Sequence, residues 1–175
     1  VANCSNNRPA GLVYNEIGSG TVASPYEIFS AKQLQSISLD STSWTKHFVQ
    51  CDHIDLNGTA QFGIAQAVDI VGGVPSLAFT GSYNGNGFKI LNYKYEDLLA
   101  VSAGLFRQVN GAIIKNIWMI NPIVHADELS APLIGVSLDA NVNNIIVENL
   151  NVSGVGSILG FAGAAGVISV AAKGE

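Results

Sequence analysis

Three runs of this chain share one pattern: an apolar residue, a spacer, an asparagine, then a further alternating stretch. They read Ile90-Leu-Asn92-Tyr-Lys-Tyr95, Ile114-Lys-Asn116-Ile-Trp-Met119 and Val147-Glu-Asn149-Leu-Asn-Val152. A second echo accompanies them, Gly104-Leu-Phe106, Pro132-Leu-Ile-Gly135 and Ser157-Ile-Leu-Gly160. The asparagines stand 24 and 33 residues apart. A unit of that size, built of short strands and polar turns, cannot bury its apolar face alone and has to stack on its neighbours. The expected fold class is therefore all-β, a solenoid whose rungs form parallel sheets around a narrow core, with about five rungs between His47 and Val170. Asparagine suits the corners of such a coil, because it tolerates left-handed backbone and its amide can bond to the same residue one rung away. Asn92, Asn116 and Asn149 are thus expected to form one structural ladder.

Residues 1–20, rich in Asn, Ser and Gly, read as an N-terminal arm, and 21–175 as a single β-solenoid domain. Ser30 stands three residues before Gln33, a capping box, and with Leu34 and Ile37 on one face it predicts a short capping helix over 31–37. Beyond it the runs at His47–Leu56, Phe88–Tyr95, Ala112–Val124, Val142–Val152 and Ile158–Val170 have strand character and no helical period. Composition narrows the function. Only 12% of residues are charged and the net charge is −5, which excludes a basic nucleic-acid binder and a disordered tail. The longest apolar stretch, Gly154 to Val170, is interrupted by Gly and Ser and falls short of the ~20 residues of a spanning helix, so no membrane insertion is expected. The absence of an initiator Met and of a signal-peptide pattern suggests a mature product or an excised piece. Cys4 and Cys51 lie 47 residues apart, which excludes CxxC redox chemistry. A disulfide from the arm to the body is the favoured reading and implies an oxidising compartment; two unpaired thiols are the alternative.

Several segments resemble the GLUG-repeat proteins, found beside IgA-protease-type and other large bacterial surface proteins. Gly18-Ser-Gly-Thr21 with Ser24-Pro-Tyr-Glu-Ile28 resembles the opening before such repeats, Ser30–Ile37 the following helix, and Cys51-Asp-His-Ile-Asp-Leu-Asn57 the usual Asp-Ile-Asp-Leu strand. Phe79-Thr-Gly-Ser-Tyr-Asn-Gly-Asn-Gly-Phe-Lys-Ile90 is similar to the family's Phe-x-Gly-x-x-Asp-Gly-x-Gly run. The resemblance covers about residues 18–160 and implies a right-handed parallel β-helix, an adhesin or passenger setting, and no catalysis. Arg107 stands where the family prefers Gly after Gly104-Leu-Phe.

The chemistry-bearing residues are few. Asp52, His53 and Asp55 lie on one predicted strand, with His53 and Asp55 on the same face. An exposed ion pair is expected there ahead of catalysis, and calcium ligation by Asp52, Asp55 and Asn57 is a lesser reading. Asn84-Gly-Asn-Gly87 lacks the Lys-Ser/Thr and helix of a phosphate loop and reads as a tight β-turn. His125, Asp127 and Glu128 form a polar cluster in a predicted loop from Asn121 to Pro132, a suitable place to display contacts. Trp118, Tyr93 and Tyr95 could stack sugars if exposed, although core packing is the commoner role. No cofactor, metal or catalytic residue is expected.

Apolar residues occupy both parities in Ile113–Ile120 and Ile145–Val147, so both faces of those strands are expected to be dry. The nearly uncharged segment Gly154–Ala172 points the same way. These surfaces are expected to pack in a homo-oligomer, with a trimer favoured, or against neighbouring domains of a larger chain. The expected function is a non-enzymatic, extracellular or surface-displayed bacterial adhesion domain, a fibre tip binding a cell-surface glycan or protein. The alternatives are a carbohydrate-active β-helix enzyme, a polysaccharide lyase or glycosidase, and a purely structural stalk.

Overall fold

The computed structural model describes residues 2–66, 77–127 and 129–153 and the backbone of Val170–Lys173. Glu128, the echo Ser157–Gly160 and the run from Ile158 to residue 169 lie outside the described residues. The protein's regular secondary structure is mostly strand. The strands are β1 (Tyr26–Ile28), β2 (His47–Gln50), β3 (Ile54–Asp55), β4 (Ser82–Asn84), β5 (Lys89–Leu91), β6 (Lys94–Asp97), β7 (Ser102–Ala103) and β8 (Phe106–Asn110). They continue with β9 (Ile113–Ile120), β10 (Ile123–Ala126), β11 (Leu129–Ser130), β12 (Ile134–Leu138), β13 (Asn141–Glu148), β14 (Asn151–Ser153) and β15 (Val170–Lys173).

Every strand pairing among the described residues is parallel. The largest sheet runs β1-β2-β4-β9-β13-β15, with β3 and β5 alongside; the others are β14-β10-β6, β11-β7 and β12-β8. Parallel pairs need a crossover, usually a helix, but from β9 to β13 the crossover consists of further strands. The chain passes through β10, β11 and β12, each beside the strand one unit earlier, before β13 returns to β9.

The one α-helix among the described residues, α1 (Ala31–Ser38), runs a residue beyond expectation. Ser30 Oγ accepts the Gln33 N–H at 3.1 Å, while Gln33 Oε1 accepts from Phe29, closing the box on the residue before the cap. Leu34 and Ile37 are fully buried in the core. A 3-10 turn over Ser41–Thr45, which sequence reasoning missed, buries Trp44 and lets its indole donate to the Ile37 carbonyl. Gly81 has to be glycine: a Cβ there would lie 1.8 Å from the Lys46 carbonyl oxygen.

Aligned registers build the core in columns. Phe48, Tyr83, Ile114 and Val142 point inward along one, and Ile54, Ile90, Met119 and Val147 along another. Phe79 bridges Phe48 and Phe106, with ring centroids 6.1 and 5.0 Å away. Gln50, fully buried, has each polar atom partnered: its amide donates to the Asp52 and Lys89 carbonyls and its oxygen accepts from Tyr83 Oη.

The asparagines need a correction. Asn92, Asn116 and Asn149 do not form one ladder, because two successive units each have two left-handed asparagine corners, Asn116 with Asn121 and Asn144 with Asn149. Asn149 Nδ2 donates to Asn121 (3.0 Å), Asn121 to Asn92 (3.5 Å) and Asn92 to Asp55 (2.8 Å). The second ladder runs from Asn144 to Asn116 (2.7 Å) and from Asn116 to Asn84 (2.8 Å). Within each ladder the later steps are 28 or 29 residues, and the apparent 24 and 33 arise from pairing Asn116 with the wrong corner. Asn92, Asn116, Asn121, Asn144 and Asn149 all have φ between +53° and +58°.

These corners also account for the mixed parity of the apolar residues. The left-handed residue Asn116 interrupts the alternation, so Ile114, Ile117 and Met119 all point inward despite mixed parity. Asn144 does the same for Val142, Ile145 and Val147. On the outer face of the single chain Ile113 is 43% exposed, and Trp118, Ile120 and Ile146 are half-buried. Asn84–Gly87 is a tight turn, with Gly85 O accepting from Phe88 N and positive φ at Asn86 and Gly87. It is an outward loop within one course of chain, since β4 and β5 run the same way along β9.

Replacing Asn116 by Ala should cost about 2–3 kcal/mol, combining left-handed strain with two lost amide bonds. Asn116→Gly, which removes only the bonds, should cost about 1 kcal/mol. Urea titration of the three proteins measures both.

Candidate functional site

The outward side chains of the large sheet meet the N-terminal arm in a groove of about 650 Å3. Because strand residues alternate faces, an inward Phe48 fixes His47 and Val49 outward, and an inward Tyr83 does the same for Ser82 and Asn84. Parallel register lines them up. One row is His47, Ser82, Ile113, and the next is Glu27, Val49, Asn84, Lys115. At about 4.8 Å between strands, Glu27 and Lys115 stand roughly 14 Å apart. His47 Nδ1 and Ser82 Oγ lie 2.8 Å apart. The wall is built from the arm, including Asn3 and Ile17, and from Val22 just beyond it.

The arm is held by chemistry of several kinds. Cys4 and Cys51 are disulfide-bonded. Asn86 uses its side chain as a substitute peptide group, accepting the Ala2 N–H at 2.7 Å and donating to the Ala2 carbonyl at 3.2 Å. Glu27 accepts the Ser5 N–H, and Arg8 bridges to Asp52 and to the Cys51 carbonyl. Glu16 gathers the N–H groups of Gly11, Leu12 and Val13, and these contacts hold its carboxyl below the usual range. The hydrogen bond from Arg8 lowers the pKa of Asp52, and that from Tyr14 lowers the pKa of Asp40. Burial first, and then the Asp40 contact, pushes the Tyr14 phenol up to about 12.

The residues expected to bind ligand do not converge. Tyr93 and Tyr95 belong to the core, at 1% and 6% exposure, with Tyr93 Oη donating to the Phe62 carbonyl. Apolar columns need large inward side chains, and these two rings supply them. Trp118 faces outward on the large sheet beneath the Lys89 ammonium, 4.5 Å from the ring centroid. His125 is not in a loop: it sits on β10, the central strand of the three-stranded sheet, 3.3 Å from Glu96 and 3.4 Å from Asn151. Half of the predicted loop from Asn121 to Pro132 is strand, in β10 and β11. Asp127 is exposed at the end of β10 and donates its N–H to the Ala100 carbonyl.

The other readings on the His53 strand also separate. His53 Nδ1 accepts the Lys89 N–H, while Asp55 accepts from Asn57 N and Asn92 Nδ2, so they form no pair. Asp52 is engaged by Arg8, whereas Asp55 bonds to Asn57 and Asn92. Cys4, Glu27 and Cys51 cluster within 4.8 Å, but the two sulfurs are bonded to each other and offer no thiolate. Sequence reasoning missed His47, Ser82, Lys115 and Glu27 as a group. Their strand parity was readable; the register that aligns them was not.

Changing both Cys4 and Cys51 to Ser should cost about 3 kcal/mol, read as a fall in the urea midpoint that reductant reproduces in the native protein. The lowered pKa values of Asp40 and Asp52 mean that their contribution is complete above the ordinary carboxylate pKa of about 4 and is lost as pH falls below it. The raised phenol of Tyr14 works in the opposite direction. Its contribution is complete below pH ~10 and disappears as pH rises through about 12. Urea midpoints across pH 2–12 should show both flanks.

No family model matches the chain, and no solved structure matches it. Over 119 residues, 67% of this chain, it is 34% identical to halomucin of Haloquadratum walsbyi (strain DSM 16790 / HBSQ001). The matched stretch is 1% of that relative, so the chain is similar to one short part of a far longer protein.

Proposed function

We propose that this chain is a non-enzymatic recognition module, secreted or displayed at a surface, that takes its ligand in the groove between the N-terminal arm and the large sheet. The observation that carries this reading is the groove itself: aligned polar side chains on a rigid sheet face, walled by an arm that a disulfide holds in place. Scaffolded concavities lined by apolar surface and a few fixed polar groups are where ligands bind. The disulfide supports an oxidising setting, and the similarity to halomucin supports a surface or secreted one.

We read the parallel strands as a right-handed β-helix of the GLUG-repeat kind. The support is the fixed order in which β10 to β12 meet β6 to β8 before β13 rejoins β9. The polysaccharide-enzyme alternative needs two cooperating carboxylates. Among the groove residues only Glu27 is acidic, and it is already bonded to Ser5, which favours binding over hydrolysis.

Ser82 lies on the groove floor, so Ser82→Trp should fill it without entering the core. Native protein should bind saturably to at least one class on an array of polysaccharides, glycoproteins and peptides. The variant should lose that binding while keeping its circular dichroism spectrum and urea midpoint. Binding untouched by the substitution, or no binding across the array, would overturn the reading.

A further inference from the structure

The groove floor is chemically lopsided. At one end the Glu27 carboxylate is occupied by the Ser5 N–H. At the other, Lys115 lies half-buried and makes no ion pair among the described residues. This is a conspicuous cation in a chain of net charge −5. Between them stand short, pre-positioned polar groups: His47 and Ser82 hold each other, and Asn84 Oδ1 is fixed by Asn116 Nδ2 and Asn86 N. Ile17, Val22 and Ile113 add an apolar strip, with Val22 at 79% and Ile113 at 43% exposure.

The backbone limits what can lie there. An extended peptide gains affinity by pairing its main chain with a free strand edge. This floor is the face of β1, β2, β4 and β9, which pair with one another through their backbones, while on the outer side of β1 the Glu27 N–H goes to the Ile17 carbonyl. A peptide would therefore lose its main-chain hydration without replacement partners. A ligand rich in hydroxyls, bearing a carboxylate, can instead bond to fixed side chains, rest its C–H face on the apolar strip and neutralise Lys115.

Resting on the proposed recognition role of this groove, we infer that its ligand is a carboxylated saccharide, a uronic-acid chain whose carboxylate pairs with the Lys115 ammonium. The test is calorimetric titration of the protein with oligogalacturonate and with its carboxyl-reduced, neutral counterpart. The acidic oligomer should bind, more weakly as salt rises, and the neutral one should bind far less. Lys115→Gln should weaken acidic binding about tenfold, the scale of one charge-assisted hydrogen bond. Lys115→Arg should restore most of it, and unchanged urea midpoints should exclude misfolding. Equal binding of the neutral oligomer, or indifference to Lys115→Gln, would overturn the acidic-saccharide assignment while Ser82-sensitive binding kept the groove reading alive. Lys115-dependent capture of polyglutamate with no uronate binding would overturn it too. Absence of Ser82-sensitive binding to anything on the array would remove both.

Discussion

The left-handed asparagine corner is the constraint on which the rest of this structure depends. At each corner the backbone adopts a positive φ that ordinary side chains resist, and the inward-outward alternation shifts at that residue. Glycine could take the same dihedral angle but would leave nothing to reach the next unit. Aspartate tolerates it and accepts a bond, but cannot pass one on. Only asparagine does all three, receiving through Oδ1 and donating through Nδ2, and so the corners repeat as asparagine through five positions. The one carboxylate in a ladder, Asp55, sits at its start, where an acceptor alone is required.

From this constraint the core and the outer surface follow together. Fixing the corners fixes which residues turn inward, and parallel pairing then stacks like on like: aromatic rings around Phe48, Phe79 and Tyr83, aliphatic side chains from Ile114 to Met119. The same registers align the outward residues in rows, so His47, Ser82, Asn84 and Lys115 become neighbours although the sequence spreads them over nearly seventy positions. Repetition alone would make a flat wall. The arm, folded back over β1 and β2, makes it concave.

Much of the architecture was legible in the residues. The capping residues Ser30 and Gln33 located the helix, the strand-rich runs located most of the chain's β structure, and the asparagine echoes announced that units recur. Assignment of equivalent corners was not legible, because Ile90-Leu-Asn92 resembles both Ile114-Lys-Asn116 and Met119-Ile-Asn121, and only hydrogen-bonded register separates them. The binding candidates show the same limit. Tyr93 and Tyr95 are aromatic and follow a corner, which fits a sugar platform as well as a core column, and His125 follows a Pro-containing turn that reads like a loop. The groove required knowing which strands lie side by side, information that resides in contacts tens of residues long.

The arm also lies along one border of the large sheet. Among the described residues β1 pairs only with β2, leaving its other edge as the outer boundary of the large sheet. Bare strand edges invite pairing with another chain. Here the Ile17 carbonyl accepts the Glu27 N–H on that boundary, and Glu27's side chain in turn holds Ser5. The segment that gives the groove its wall thus also occupies a donor on the sheet's outer border, so one stretch of chain both shapes a surface and blunts a template on which a second chain could lay its strands.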